Sequence, residues 1–189
     1  MARDRIPDSA HDIFTKHEEA HAGGPVSTTG GVGQYLVGTK YNNFVHVRSG
    51  QCWENCGPEE TESYKNQLEP TLKNGTKYLW ENREERGAMG LRYLGNRDSR
   101  GQTKKETCGT GFFTSLDTLE EWAKRHCSHL AICLGVIKHA KRFGHSRKFR
   151  TWHEVSVLKQ GEALFKYINC LHTAGVIRFG SLNVLLSLE

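Results

Sequence analysis

The stretch SLDTLEEWAKRHCSHLAICLGVIKHAKRF, residues 115–143, constrains the fold more than any other. Ser115 is suited to cap a helix, and Asp117, Glu120 and Glu121 put negative charge near the N-terminus, where the helix dipole favours it. Leu116, Leu119, Trp122, Ala123, His126, Leu130, Cys133, Ile137 and Ala140 recur at i, i+3, i+4 and i+7. That spacing predicts one long helix with a single apolar stripe. His126 lies in the stripe, and His129 sits one turn further on. A neutral imidazole on an apolar helix face suits an axial haem ligand. A core histidine hydrogen-bonded to backbone gives the same pattern, and satisfied buried polar groups are common.

With 189 residues, 37% of them hydrophobic, the chain can bury one core. The net charge is +5, and the one dense basic run, Lys138 to Arg150, has little aromatic interleaving. It reads as a solvated helix end and loop, so no nucleic-acid partner is expected. No stretch is long and apolar enough to span a bilayer, so no membrane partner is expected either. The start, MARDRIPDSAHD, has no apolar core of a secretory signal. Six cysteines without such a signal argue for free thiols in a reducing, cytoplasmic setting. A zinc site from Cys52, Cys56, Cys127 and His129 is the weaker use of those thiols, because the spacings are poor.

Residues 1–33 show no periodicity and read as an irregular arm. Residues 35–37 and 44–48 read as strands, with Ser49 at the edge of the second. Residues 59–81 read as a helix interrupted near Pro70 and Gly75. Residues 88–95 and 106–113 are expected to pair through the polar loop NRDSRGQTKK. Residues 149–158 (FRTWHEVSVL) form a further strand holding His153, and 165–170 one more. The order β-α-β-β-α-β is that of a ferredoxin-like α+β unit, with both helices on one sheet face and the other face left for a second sheet. The domain is expected over 34–175, with a divergent tail at 176–189.

Four stretches together resemble the haem-containing aldoxime dehydratases, the phenylacetaldoxime dehydratase family. They are ARDRIPDS at the start, VRSGQCW at 47–53, SLDTLEEWAKRHCSHLAI at 115–132, and WHEVSVL with YINC within 152–170. The resemblance covers the carboxy-terminal half of such a protein. It implies half of a dimeric α+β-barrel haem protein that dehydrates aldoximes to nitriles with ferrous haem b. The apolar sheet face left open predicts a homodimer or a soluble aggregate rather than a monomer. Three departures stand out: Cys127-Ser128 replaces proline-threonine, Leu171-His172 replaces histidine-proline, and the tail is unlike the family's end. A truncated or inactive copy is therefore one expectation, and a non-catalytic haem-binding or dimerisation module is the alternative.

By motif, the resemblance gives His129 the role of axial iron ligand, with His126 as second choice. Ser49 matches a distal serine that holds the oxime hydroxyl. His153 matches a distal acid–base histidine. Arg3 or Arg5 matches a distal arginine. The residue types suit the chemistry. Hydroxide leaves poorly unless it is protonated, and an imidazole can supply and then recover a proton near neutral pH. A serine hydroxyl can both accept and donate a hydrogen bond.

Overall fold

A computed structural model describes residues 35–171, 174–176 and 183–188. Four strands form the main sheet: β2 (Phe44–Cys52), β3 (Ala88–Arg97), β4 (Thr103–Phe113) and β5 (Arg150–Leu158). Their order is β3-β4-β2-β5 and every neighbouring pair is antiparallel. The intervening helices are α1 (Pro58–Ser63), a π-helical segment Tyr64–Leu68, α2 (Glu69–Glu81), α3 (Leu116–Arg125) and α4 (Cys127–Phe143). This is the expected ferredoxin-like α+β unit. A smaller sheet, ordered β6-β1-β7, joins β1 (Tyr35–Thr39) to β6 (Phe165–Ile168) and to β7 (Asn183–Leu188) from the tail. No described helix is long and apolar enough to cross a membrane.

Strand alternation divides β2 between two environments. On the outer face, Phe44 and Phe112 stack with centroids 5.1 Å apart, and Phe165 of the small sheet packs edge-on against both. The chain's own flanks thus cover one end of the face expected to stay open. On the helix face, Val45, Ala88 and Phe113 meet Leu79 of α2 and Leu116 and Leu119 of α3 in one cluster. At the other end of β2, Trp53, Tyr64, Leu68 and Phe149 form a second cluster. The middle of the helix face lies between the two.

Two sequence expectations change. The helix from Glu59 does not break at Gly75; it runs to Glu81. A Cβ at Gly75 would sit 2.8 Å from Ile132 Cδ1, so the glycine admits α4. The adjustment falls in the π-helical segment just before Pro70, a residue that lacks an N–H to donate. The single helix predicted over 115–143 is two. Ser115 caps α3 through the N–H of Thr118, and the chain turns extended at His126, with φ −82° and ψ 133°. His126 then caps α4, its side chain accepting from the N–H of Ser128. The restart puts Cys127 at the first helical position, where the proline of the family motif would be well placed. It also resets the helix phase. Ile132, Gly135, Val136 and His139 turn inward against Gly75, Leu68, the Trp53 cluster and Glu60. Leu116 and Leu119 of the predicted stripe are buried, but Leu130 and Ile137 are 39% and 50% exposed, with Leu134 beside them at 57%, so the α4 part of the stripe is open.

Glu60 anchors the entry to β5. Its carboxylate, 5% exposed, accepts the N–H of Lys148 at 3.0 and 3.1 Å and of Phe149 at 2.9 Å. It faces His139 Nε2 at 3.3 Å, and His139 Nδ1 meets Ser63 Oγ at 3.1 Å. Burial pushes the Glu60 pKa up, but the two backbone N–H groups and the Cys56 and His139 contacts outweigh it and hold the carboxyl below its usual 4.5. Burial holds His139 below its usual 6.5, against the pull of Glu60. Both groups therefore bind protons more readily in the unfolded chain, so stability falls with pH, first below 6.5 and again below 4.5. Urea midpoints are expected to drop between pH 7 and pH 5, and His139→Gln to flatten that drop. At pH 7, Glu60→Gln is expected to cost about 2 kcal/mol, since one acceptor oxygen becomes a donor facing backbone N–H groups. An unchanged midpoint in Glu60→Gln would show that the carboxylate does not hold this entry.

Candidate active site

Ser49 and His153 are brought together by register. Ser49 of β2 lies opposite His153 of β5 and opposite Gly109 of β4. Directly opposed residues share a face. That face is the helix side, because Val45 and Val157, paired in the same ladder, belong to the helix-side cluster. Both residues thus occupy the uncovered middle of the face, next to Val47 and Val155. A Cβ at Gly109 would find only the Ser49 carbonyl within reach, at 3.8 Å, so the strand beside Ser49 leaves room.

His129 lies in the first turn of α4. Its ring packs edge-on against Trp122 at 4.6 Å, and Nδ1 meets Cys133 Sγ at 3.6 Å. Burial draws its pKa below the ordinary value, a hydrogen bond to the Ala123 backbone opposes this, and the charge of His153 lowers it further. The imidazole is thereby kept neutral, the form that binds a metal. His153 has a large accessible surface, yet enough protein surrounds its ring that burial also lowers its pKa.

His126 is otherwise engaged. Its Nδ1 accepts from the N–H of Ser128 at 3.2 Å and meets Ser128 Oγ at 2.8 Å, while its ring stacks on Tyr78 with centroids 3.9 Å apart. Trp122 Nε1 donates to the same Ser128 Oγ at 3.0 Å. Arg3 and Arg5 lie outside the described residues. Cys52, Cys56, Cys127 and His129 do not converge: among the described residues no three His, Cys, Asp or Glu side chains could hold a metal ion together. Burial beside Glu60 also pushes the Cys56 thiol up to about 12, away from the thiolate that zinc requires.

One group near Ser49 escaped the sequence reading. Gln51, 2% exposed, donates from Nε2 to Ser49 Oγ and to Ser49 O, both at 3.0 Å, and its Oε1 accepts from Thr107 Oγ1 at 2.9 Å. The signal was available, since Gln51 is two residues from Ser49 on one strand and must share its face.

Ser49 and His153 thus stand on the sheet, and His129 stands on α4, near enough for the charge of His153 to act on it. An apolar, open helix face beside a neutral imidazole suits a flat apolar macrocycle with one axial nitrogen ligand, so these residues fit a haem.

The fold is that of an α+β protein, and His129 with the exposed α4 residues has the chemistry to hold a haem-like group. A model of the family described as haem-containing dehydratase matches residues 1–176, and the chain belongs to that family. It is 33% identical to an aliphatic aldoxime dehydratase of Pseudomonas chlororaphis over 93% of this chain and 48% of that protein. It is 30% identical to a phenylacetaldoxime dehydratase of Bacillus sp. (strain OxB-1), over 94% of this chain and 50% of that one. A solved aldoxime dehydratase in complex with butyraldoxime superposes with a TM-score of 0.73 at 28% identity, covering 89% of this chain and 45% of that chain. The chain thus spans about half the length of these relatives.

Proposed function

We propose that this chain supplies the carboxy-terminal half of a haem pocket that dehydrates aldoximes, R-CH=N-OH, to nitriles. The observation that carries the reading is the Ser49–His153 cross-strand pair beside the His129-bearing stripe of α4, in a chain of the haem-containing dehydratase family. His129 is the residue to hold the iron of haem b, and Leu130, Leu134 and Ile137 the residues to cover one side of the macrocycle. When bound, ferrous haem supplies the electron density that weakens the N–O bond. Ser49 holds the oxime oxygen by a hydrogen bond, and His153 delivers the proton that lets it leave as water. His153 then recovers a proton from the oxime carbon, which completes the loss of water with no net change at the side chain. The resemblance assigns Arg3 or Arg5 to the same side. The test is nitrile formation from an aliphatic aldoxime under reducing conditions, by the chain loaded with haem and supplied with the amino-terminal half of a relative. No nitrile from that assembly would defeat the reading.

Association belongs to the same proposal. Leu164, Ile168 and Leu171, around edge strand β6, are 52%, 66% and 58% exposed. Apolar surface grouped in this way marks an interface, and a homodimer is the expected state. A clean monomer at micromolar concentration in analytical ultracentrifugation would count against it. All six cysteines are free, which suits a reducing, cytoplasmic setting.

A further inference from the structure

We propose that Gln51 is a positioning residue for Ser49, biasing its hydroxyl toward hydrogen-bond donation to the oxime oxygen. This deepens the functional reading above and rests on it. The argument starts from the Ser49 backbone carbonyl. That oxygen can only accept, so the Gln51 amide atom 3.0 Å from it must be the nitrogen. The same nitrogen lies 3.0 Å from Ser49 Oγ, which therefore receives an N–H. The other end of the amide agrees: Oε1 receives the Thr107 hydroxyl at 2.9 Å. Thr107 Oγ1 in turn accepts from the Tyr93 hydroxyl at 3.3 Å.

Every donor in this chain points the same way, from Tyr93 through Thr107 and Gln51 to Ser49. Gln51 is 2% exposed and Thr107 7%, so water does not compete for these bonds. Reversing the order would leave a buried acceptor facing an acceptor, which is costly. With one lone pair engaged by Gln51, the Ser49 hydroxyl has one lone pair fewer for a substrate and its whole proton to give, which favours donation. Gly109 leaves open the space into which it would be given. A serine biased toward donation supports the oxygen as negative charge gathers on it, whereas a hydroxyl with both lone pairs open would spend more of its time accepting from the oxime.

The test has two parts, both on the full chain. In the isotope-labelled chain without haem, the Gln51 side-chain amide protons should shift in Ser49→Ala; unchanged resonances would overturn the hydrogen bond. In the haem-loaded chain with its amino-terminal half supplied, the C–O stretch of carbon monoxide on ferrous haem reports donors near the iron. Ser49→Ala and Gln51→Leu should move it in the same direction. Gln51→Leu should lose about tenfold in kcat/KM, the scale of one hydrogen bond, and the double variant should be no worse than Ser49→Ala. Gln51→Glu should titrate: the protonated acid at low pH donates to Ser49 as the amide does and resembles wild type, while the carboxylate at higher pH accepts the Ser49 proton for itself and falls to or below Gln51→Leu. A purely structural role would give no such profile. If Ser49→Ala moves the stretch and turnover while both Gln51 variants stay at wild type, the positioning role is wrong and the function of Ser49 stands. If Ser49→Ala itself moves neither, the assignment of Ser49 fails and takes this proposal with it.

Discussion

His129→Ala is expected to abolish the histidine-ligated haem spectrum of the reconstituted chain. The effect should be complete, because the neighbouring candidate is not available to replace it. His126 Nδ1 accepts the N–H of Ser128, and its ring is stacked on Tyr78 at 3.9 Å. Turning that imidazole toward a haem would uncap α4, which costs about 1 kcal/mol, and would break the ring contact as well. His129 caps no helix; its contacts are a hydrogen bond to the Ala123 backbone and Cys133 Sγ at 3.6 Å from Nδ1. Its ring packs edge-on against Trp122, and its pKa is drawn down by burial, so it is neutral when the ligand is needed. His126→Ala should accordingly keep the spectrum while lowering stability. Loss of the spectrum in His126→Ala with retention in His129→Ala would move the ligand back to the start of α4 and refute the assignment.

The strands were legible in the sequence because their signal is local. FVHVR and TWHEVSVL alternate with a period of two, and a buried face demands that alternation. The break at His126 was not legible for a specific reason. Leu130, Cys133 and Ile137 continue the spacing of Leu116, Leu119 and Trp122, so periodicity runs across the break without a fault. What ends α3 is a side-chain cap, His126 to Ser128, together with the Trp122 to Ser128 bond. Periodicity records spacing and does not record such a cap. The consequence is that the phase reset leaves Leu130, Leu134 and Ile137 exposed on α4, the residues proposed to cover a haem. The pairing of Ser49 with His153 was hidden differently. Each could be placed on a strand, but their opposition depends on the register between strands more than ninety residues apart in sequence, which no local pattern encodes. The part played by Glu60 was hidden in a third way. Its partners are backbone N–H groups of Lys148 and Phe149, and backbone groups carry no sequence signature.

His153→Ala is expected to keep the haem spectrum and to lose about 10²-fold or more in turnover, the contribution of one positioned acid–base group. His153 stands on β5 and not on the helix that bears His129, so removing it leaves the proposed ligand in place and lifts only the lowering its charge exerts on the His129 pKa. Its place is rigid, because β5 is held along Phe44–Cys52 by an uninterrupted ladder and at its entry by Glu60. The proton it must deliver sets the pH dependence. With the pKa held below 6.5 by burial, the cationic form is lost as pH rises through a value lower than that of a free imidazole. Turnover limited by that proton should therefore fall from mildly acidic toward neutral pH, and His153→Ala should abolish that limb of the profile. Ser49→Ala should lose less in kcat and more in KM, since a hydrogen bond to the oxime oxygen is made in the bound substrate as well as during bond breaking. The two losses should be less than additive, because the paired residues hold and protonate one oxygen. Wild-type turnover in His153→Ala at every pH would show that the proton comes from elsewhere, and would leave His153 as a surface residue of the sheet.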